Sequence, residues 1–214
     1  MNNQNMWESR YRDEAGHNPD GVRPHPIVLE QARAVLKRDR QDGGLSAPMR
    51  AADLGSGSGR HALALAELGL AVTAVDFAPS AHDLLQREAV AQGISDRINP
   101  VVADVSSWQP SDRGLFDIIV AIYLHIDLSV LLDCAELLAP GGRLVWVAHA
   151  PDSPHGPPPA VVRDSLGDFR AKLALLDQSQ FRCLQLEERQ LSSEFIDIVA
   201  IVERLPVDHA PTSN

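Results

Sequence analysis

The stretch Asp53-Leu-Gly-Ser-Gly-Ser-Gly-Arg60 separates an apolar segment, MRAADL (49–54), from a segment with a helical pattern. Doubly wound sheets bind ligands at such a turn, beyond the carboxyl ends of their strands. Glycines let a ligand approach the backbone closely, and they permit positive φ angles. The glycine turn, residues 55–59, therefore predicts a ligand site at the first crossover of a parallel sheet.

The spacing of the turn distinguishes between two kinds of ligand. A dinucleotide site has the pattern G-x-G-x-x-G, with the pyrophosphate on a helix N-terminus. Here Arg60 stands where the last glycine of that pattern would be. The carboxylate of Asp53 would repel a pyrophosphate and attract an ammonium or sulfonium cation. The pattern favours a cationic nucleoside ligand over NAD, and a tight βα turn at Gly55, Gly57 and Gly59 is the plainer alternative.

Two further acids end the next two predicted strands. Asp76 ends the segment AVTAVDF (71–77), about 20 residues past the turn, where an acid accepts hydrogen bonds from two ribose hydroxyls. Phe77 is placed to lie against a purine face. Asp104 ends the segment INPVVAD (98–104), where it would accept from an adenine amino group. The alternatives are a helix cap for Asp76 and a solvated loop position for Asp104.

Strand and helix patterns alternate along the chain, which predicts βαβ units and a parallel sheet. Only Ser192 and Ser193 separate the last two strands, so these strands should pair antiparallel. Ser58 is the predicted cap of the helix after the glycine turn. The predicted strands are 49–54, 71–77, 98–104, 116–124, 143–150, 183–191 and 194–205. The expected fold class is α/β, a doubly wound, seven-stranded, mostly parallel sheet that ends in an antiparallel hairpin.

The composition limits the functions to consider. The net charge is −10, which disfavours nucleic acid and membrane surfaces as partners. Cys134 and Cys183 are far apart and have no metal-ligand spacing, so we expect reduced thiols and no metal. The polar start lacks the apolar core of a signal peptide. We therefore expect a cytoplasmic protein.

Three stretches resemble class I S-adenosylmethionine-dependent methyltransferases, which have a Rossmann-like fold. The stretch DLGSGSGRHALALAELGLAVTAVDFAPS (53–80) is similar to their first motif and second strand. The stretches FDIIVAIYLHID (116–127) and LLAPGGRLVWVA (137–148) are similar to their fourth and fifth strands. The pattern G-x-G-R-x-x-L-x-L-A (57–66) and an N-terminal Trp-x-x-Arg-Tyr resemble the tellurite-resistance and thiopurine methyltransferase group.

The resemblance implies S-adenosylmethionine as the cofactor and a small molecule as the methyl acceptor. It implies an N-terminal lid, from which Arg10 and Tyr11 reach the cofactor carboxylate. Ser56 stands where this family often has cysteine. The implied domains are a lid and helix (1–45), the methyltransferase domain (46–205) and a flexible tail (206–214). The implied cofactor residues are Arg10, Tyr11, Asp53, Gly55, Ser56, Gly57, Asp76, Phe77, Asp104, Val105 and Ile122.

Methyl transfer from a sulfonium is an in-line displacement, in which the protein chiefly aligns the nucleophile and excludes water. A general base is needed only if the nucleophile binds in its protonated form. The candidates near the ends of the fourth and fifth strands are Tyr123, His125 and His149. An NAD-dependent oxidoreductase and a non-catalytic cofactor-binding module are the alternative functions. The sequence leaves the oligomeric state open.

Overall fold

The structure is a computed structural model that describes residues 7–9, 11–12, 23–41, 48–110, 115–154, 163–192 and 195–206. Its main elements alternate along the chain in the order that the sequence predicts. They are α1 (Pro26–Gln41), β1 (Arg50–Leu54), α2 (Arg60–Glu67), β2 (Ala71–Asp76), α3 (Pro79–Ala91), β3 (Ile98–Val102), β4 (Phe116–Ile122), α4 (Val130–Glu136), β5 (Leu138–His149), α5 (Leu166–Leu173), β6 (Phe181–Gln190) and β7 (Ile196–Arg204).

The strands form one seven-stranded sheet in the order β3-β2-β1-β4-β5-β7-β6. Strands β1 to β5 pair in parallel, whereas β7 is antiparallel to both β5 and β6. The predicted fold class, with its terminal hairpin, is therefore confirmed. The chain reverses its direction of winding at β1 and β4, and this is the position where a doubly wound sheet opens a crevice for a ligand.

Helices cover both faces of the sheet, so successive strand residues enter opposite halves of the core. On β4, Ile118 and Val120 pack with α1, α2 and α3, while Ile119 and Ala121 pack with α4 and α5. Each of these four side chains is fully buried. An uninterrupted apolar run is what a strand needs when both of its faces are covered.

Several predicted boundaries were wrong. Helix α2 begins at Arg60 after Gly59, and the Ser58 side chain makes no cap hydrogen bond, because the left-handed backbone of Gly59 starts the helix. Strand β5 begins at Leu138 rather than at Arg143, with a register irregularity against β4. Helix α5 begins at Leu166, where Ser165 and Asp168 form a capping box.

Within the described ranges, no helix combines the length and the apolar character that a membrane span requires.

Candidate active site

The glycine turn is held against the sheet by hydrogen bonds to β2. The φ angles of Gly55, Gly57 and Gly59 are 68°, 52° and 91°, all left-handed. The backbone N–H groups of Gly55 and Ser56 donate to the carbonyl of Val75 at 2.8 and 3.0 Å. The turn therefore lies across the carboxyl ends of β1 and β2, as the sequence predicts.

Asp53 lies two residues before this turn and is only 1% exposed. Burial raises the pKa of its carboxyl group to about 7, and a backbone hydrogen bond from Ala62 and the charge of Arg60 offset only part of that effect. Its Oδ2 atom has no hydrogen-bond partner among the described residues. A buried acceptor without a donor is costly, so this position fits a ligand that brings a cation or an N–H group.

Asp76 ends β2 and bonds to the turn directly. Its Oδ2 accepts from the N–H of Gly57 at 2.9 Å, and its Oδ1 accepts from the N–H of Ala78 at 2.9 Å. The second bond fixes the loop that leads into α3. The side chain is buried, and each carboxylate oxygen retains one further acceptor position. This arrangement fits a ligand that donates from neighbouring hydroxyls.

The N-terminal segment, residues 7–9 and 11–12, is helical and lies over the glycine turn. A Cβ atom added at Gly57 would come within 2.6 Å of the Tyr11 hydroxyl oxygen. The Ser80 hydroxyl donates to Glu8 Oε2 at 2.9 Å, which attaches the segment to the start of α3. Tyr11 therefore lies against the glycine turn, whereas Arg10 is outside the described residues.

The side chains predicted to hold an adenine follow β2 and β3. Phe77 is partly buried, and Val105 is 7% exposed. Strand β3 ends at Val102, so Asp104 lies two residues beyond the strand rather than at its end. The carboxylate of Asp104 is exposed and accepts from the N–H and hydroxyl of Ser106 at 2.9 and 2.6 Å. Asp104 therefore also fixes the local turn.

On the other side of the turn, β4 brings up Ile122, one of the residues that the resemblance implies at the cofactor. Ile122 is the last residue of β4 and pairs with Val147 of β5. Leu124 follows closely, and a Cβ atom at Gly55 would lie 2.7 Å from its Cδ1. The Ser56 hydroxyl lies in the turn, buried and without a hydrogen-bond partner among the described residues. The strand end and the turn thus form one continuous surface.

The three predicted catalytic candidates lie together, but their partners come from elsewhere in the chain. The rings of Tyr123 and His149 stack at 4.1 Å, and His125 lies 6.2 Å from His149. The Tyr123 hydroxyl donates to Asp197 Oδ2 at 2.8 Å. The same carboxylate lies 3.3 Å from His149 Nδ1 and 3.6 Å from His25 Nε2. We call these five residues the Asp197 cluster.

Sequence reasoning missed Asp197 and His25. A signal existed for Asp197, which interrupts the apolar run of β7 and is fully buried. His25, between two prolines, gave no such signal. Its backbone N–H donates to His61 Nε2 at 3.2 Å, which connects the Asp197 cluster to the first turn of α2. The cluster therefore adjoins the helix that follows the glycine turn.

No group of three or more metal-ligating side chains with suitable geometry occurs in the part of the chain that the structure describes.

Comparisons with known proteins show which proteins this chain resembles. Residues 51–142 match the methyltransferase domain family. The structure is similar to that of the CcbJ methyltransferase from Streptomyces caelestis, with a TM-score of 0.68, 15% identity, and coverage of 93% of this chain and 98% of that one. It is also similar to that of magnesium protoporphyrin IX methyltransferase from Synechocystis PCC 6803 with bound SAH (S-adenosylhomocysteine), with a TM-score of 0.66, 15% identity, and coverage of 94% of this chain and 97% of that one.

The fold, the glycine turn and the matched stretch are similar to those of class I S-adenosylmethionine-dependent methyltransferases. Within that class, the chain is 28% identical over 124 residues to a ubiquinone biosynthesis O-methyltransferase of Xanthomonas axonopodis pv. citri. That alignment covers 56% of this chain and 48% of the relative. The chain thus spans about half the length of the curated relatives it matches.

Proposed function

We propose that this chain is an enzyme that transfers a methyl group from S-adenosylmethionine to a small-molecule acceptor. The observation that carries the proposal is the buried carboxylate of Asp53, whose Oδ2 has no hydrogen-bond partner among the described residues. A diphosphate cofactor would place more negative charge beside this group, whereas an amino-acid cofactor brings an ammonium. The family match over residues 51–142 supports the same ligand.

The polar groups around the glycine turn match the parts of that cofactor. Asp53 would take the ammonium of the methionine part, and Asp76 the two ribose hydroxyls. Phe77 and Val105 would border the adenine. When bound, the cofactor supplies a methyl group on a positively charged sulfur, which is reactive towards nucleophiles.

The protein's own contribution is to position the acceptor and exclude water. Tyr11 lies over Gly57, with its segment attached to α3 through Glu8 and Ser80, so the segment can cover a bound cofactor. The acceptor would approach from the ends of β4 and β5, beside Tyr123 and His149. A net charge of −10 favours a small acceptor over a nucleic acid.

The finer resemblance, to the tellurite-resistance and thiopurine methyltransferase group, concerns the architecture of the lid. The position of Tyr11 over the glycine turn supports that part of the resemblance.

Calorimetric titration with S-adenosylhomocysteine and, separately, with NADH tests the proposal. We expect saturable binding of the first ligand and none of the second. Transfer of radiolabel from methyl-labelled S-adenosylmethionine to small molecules of a cell extract should follow. Binding of NADH alone, or no binding of either ligand, would overturn the proposal. Cofactor binding without any labelled product would instead favour a non-catalytic module.

A further inference from the structure

Asp197 is the centre of a buried set of donors at the ends of β4, β5 and β7. It is fully buried, and its Oδ2 accepts a hydrogen bond from the Tyr123 hydroxyl at 2.8 Å. Burial pushes the pKa of its carboxyl group upwards, but the interactions with His149, His25 and Tyr123 outweigh that effect and lower the pKa to about 2. The carboxylate is therefore ionised at neutral pH and acts only as an acceptor.

The hydrogen bonds around the cluster determine which ring nitrogens carry protons. The N–H of Ile27 donates to His25 Nδ1 at 3.3 Å, so in neutral His25 the proton is on Nε2, the atom that faces Asp197. His149 presents Nδ1 to the other oxygen of the same carboxylate, at 3.3 Å but off the line of a well-aligned hydrogen bond. Because the carboxylate can only accept, its closeness favours the neutral tautomer of His149 that carries the proton on Nδ1.

This tautomer leaves His149 Nε2 as a bare acceptor. The His149 side chain is 10% exposed, while its Nδ1 atom is fully buried, so the exposed part of the ring lies elsewhere than at Nδ1. Tyr123 stacks on the ring with an angle of 10° between the planes, and Phe195 lies 6.2 Å away. The ring is thus held by its neighbours, and no hydrogen bond to Nε2 occurs among the described residues.

The other two candidates are less suited to take a proton. Burial, and next the charge of Asp197, raises the pKa of Tyr123, whose hydroxyl proton is already donated to that carboxylate. Burial, followed by the charges of His149 and Arg163, lowers the pKa of His125 to about 4. A group with so low a pKa is a weak base. His149 is preferred because it is the candidate histidine that contacts the Asp197 carboxylate.

We propose that His149 accepts the proton of a hydroxyl acceptor during methyl transfer, and that Asp197 is the positioning residue that holds it in the required tautomer. This inference rests on the proposed function. The acceptor oxygen forms its bond to the methyl carbon as the bond between that carbon and sulfur breaks, and the electron pair of that bond stays on sulfur. The proton of the hydroxyl passes to His149 Nε2, and Asp197 stabilises the resulting imidazolium.

The arrangement selects for hydroxyl acceptors because these need a base. A phenol has an ordinary pKa of about 10, so it binds in its protonated form at neutral pH. A thiol with a pKa of about 8.5 ionises far more readily, and an anionic metalloid acceptor carries no proton to remove. Such acceptors do not need the Asp–His pair for the displacement. We propose the hydroxyl class for the acceptor, with a phenol as the simplest member; a protonated amine would also need a base, so label found on amines and not on hydroxyls would overturn this assignment.

The tautomer of His149 can be measured in the protein as purified, without an acceptor. Long-range ¹H–¹⁵N NMR spectra at neutral pH distinguish the two neutral tautomers, and the signals that disappear in His149→Gln identify the residue. We expect the proton on Nδ1 in the wild-type protein and a change towards the other tautomer in Asp197→Asn. If His149 of the wild-type protein carries its proton on Nε2, the inference is overturned. The wild-type spectrum alone decides this point, even if Asp197→Asn does not fold. The exposed Asp96→Asn should leave the spectrum unchanged.

A labelling experiment tests the acceptor class. Methyl-labelled S-adenosylmethionine is offered with catechol, with thiophenol and with tellurite. We expect label on catechol, reduced about 100-fold or more in kcat by His149→Gln, with S-adenosylhomocysteine affinity preserved. Label confined to thiophenol or tellurite, no label on catechol, or equal rates in the two proteins would overturn the inference. If the wild-type protein does not bind S-adenosylhomocysteine at all, the proposed function itself is refuted.

Discussion

The carboxylate of Asp76 accepts a hydrogen bond from the N–H of Gly57 at 2.9 Å, although the two residues belong to different βα units. Its other oxygen accepts from Ala78 at the same distance. One side chain at the end of β2 therefore fixes both the glycine turn and the start of the loop into α3. A carboxylate has about four acceptor positions, so two remain for a ligand. The same acid can thus position the turn and bind the ribose.

Replacing Asp76 should therefore weaken cofactor binding in two ways. Asp76→Asn keeps the shape of the side chain but removes the charge and one of the two carboxylate acceptors. We expect a loss of about 1–3 kcal/mol in S-adenosylhomocysteine affinity, the usual cost of losing a charged acceptor. Isothermal titration calorimetry measures it.

Asp104→Asn is the matched control for this prediction. Asp104 follows the neighbouring strand, but it is exposed and already accepts two hydrogen bonds from Ser106. A smaller effect is expected there. Equal losses at the two positions, or an unchanged affinity in Asp76→Asn, would argue against the ribose assignment.

The sequence could predict the parts of the site that depend on local patterns. The glycine turn comes directly after a predicted strand, and Asp76 lies at the end of the next one. Because the strands alternate with helices and pair in parallel, both positions lie at the same edge of the sheet. The Asp197 cluster could not be predicted in this way. His25, Tyr123, His149 and Asp197 come from four separate segments, and only the register of β5 with β7, which pairs His149 with Asp197, brings the last two together.

The start of helix α2 was also difficult to predict from sequence, because two consecutive residues, Ser58 and Gly59, could have capped it. A serine is the usual side-chain cap, and Ser58 therefore seemed the natural choice from sequence. The structure uses the left-handed backbone of Gly59 instead, with φ of 91°. A backbone conformation of this kind depends on packing as well as on local sequence.

Asp53 should make the stability of the protein depend on pH. The pKa of its carboxyl group is about 7 in the folded chain, above the ordinary value of 3.8. Between these two values the folded chain holds a proton that the unfolded chain has released, so stability falls as pH rises through this window. The fall is on the order of 4 kcal/mol at 1.36 kcal/mol per pKa unit.

Denaturant unfolding at several pH values checks this prediction. Other groups also titrate, so the informative quantity is the difference between the wild-type protein and Asp53→Asn. That difference should shift in favour of the asparagine variant as the pH rises from about 4 to about 7. A difference that stays constant with pH would mean that Asp53 is ionised throughout.

The same carboxyl group should release a proton when the cofactor binds. Near neutral pH Asp53 is partly protonated, and an ammonium placed beside it would favour the ionised form. We expect S-adenosylhomocysteine to release up to about one proton on binding, measured by calorimetry in two buffers of different ionisation enthalpy. Asp53→Asn should remove that release. Methylthioadenosine lacks the amino-acid part and should therefore bind without releasing a proton. If both ligands release protons equally, the ammonium does not lie beside Asp53.

Gly57 and Gly69 give a matched pair for testing the contact between the N-terminal segment and the turn. Both have left-handed backbones, with φ of 52° and 97°, so an alanine costs about 1–2 kcal/mol in conformational strain at either position. A Cβ atom at Gly69 has no described atom within 4 Å, whereas one at Gly57 lies 2.6 Å from the Tyr11 hydroxyl. Gly57→Ala should therefore weaken S-adenosylhomocysteine binding about tenfold or more, while Gly69→Ala should lower only the thermal stability.

Adding Tyr11→Phe to Gly57→Ala removes the clashing oxygen and should restore part of the affinity. If the two alanine variants bind equally well, Tyr11 does not lie over the turn in the ligand-bound protein.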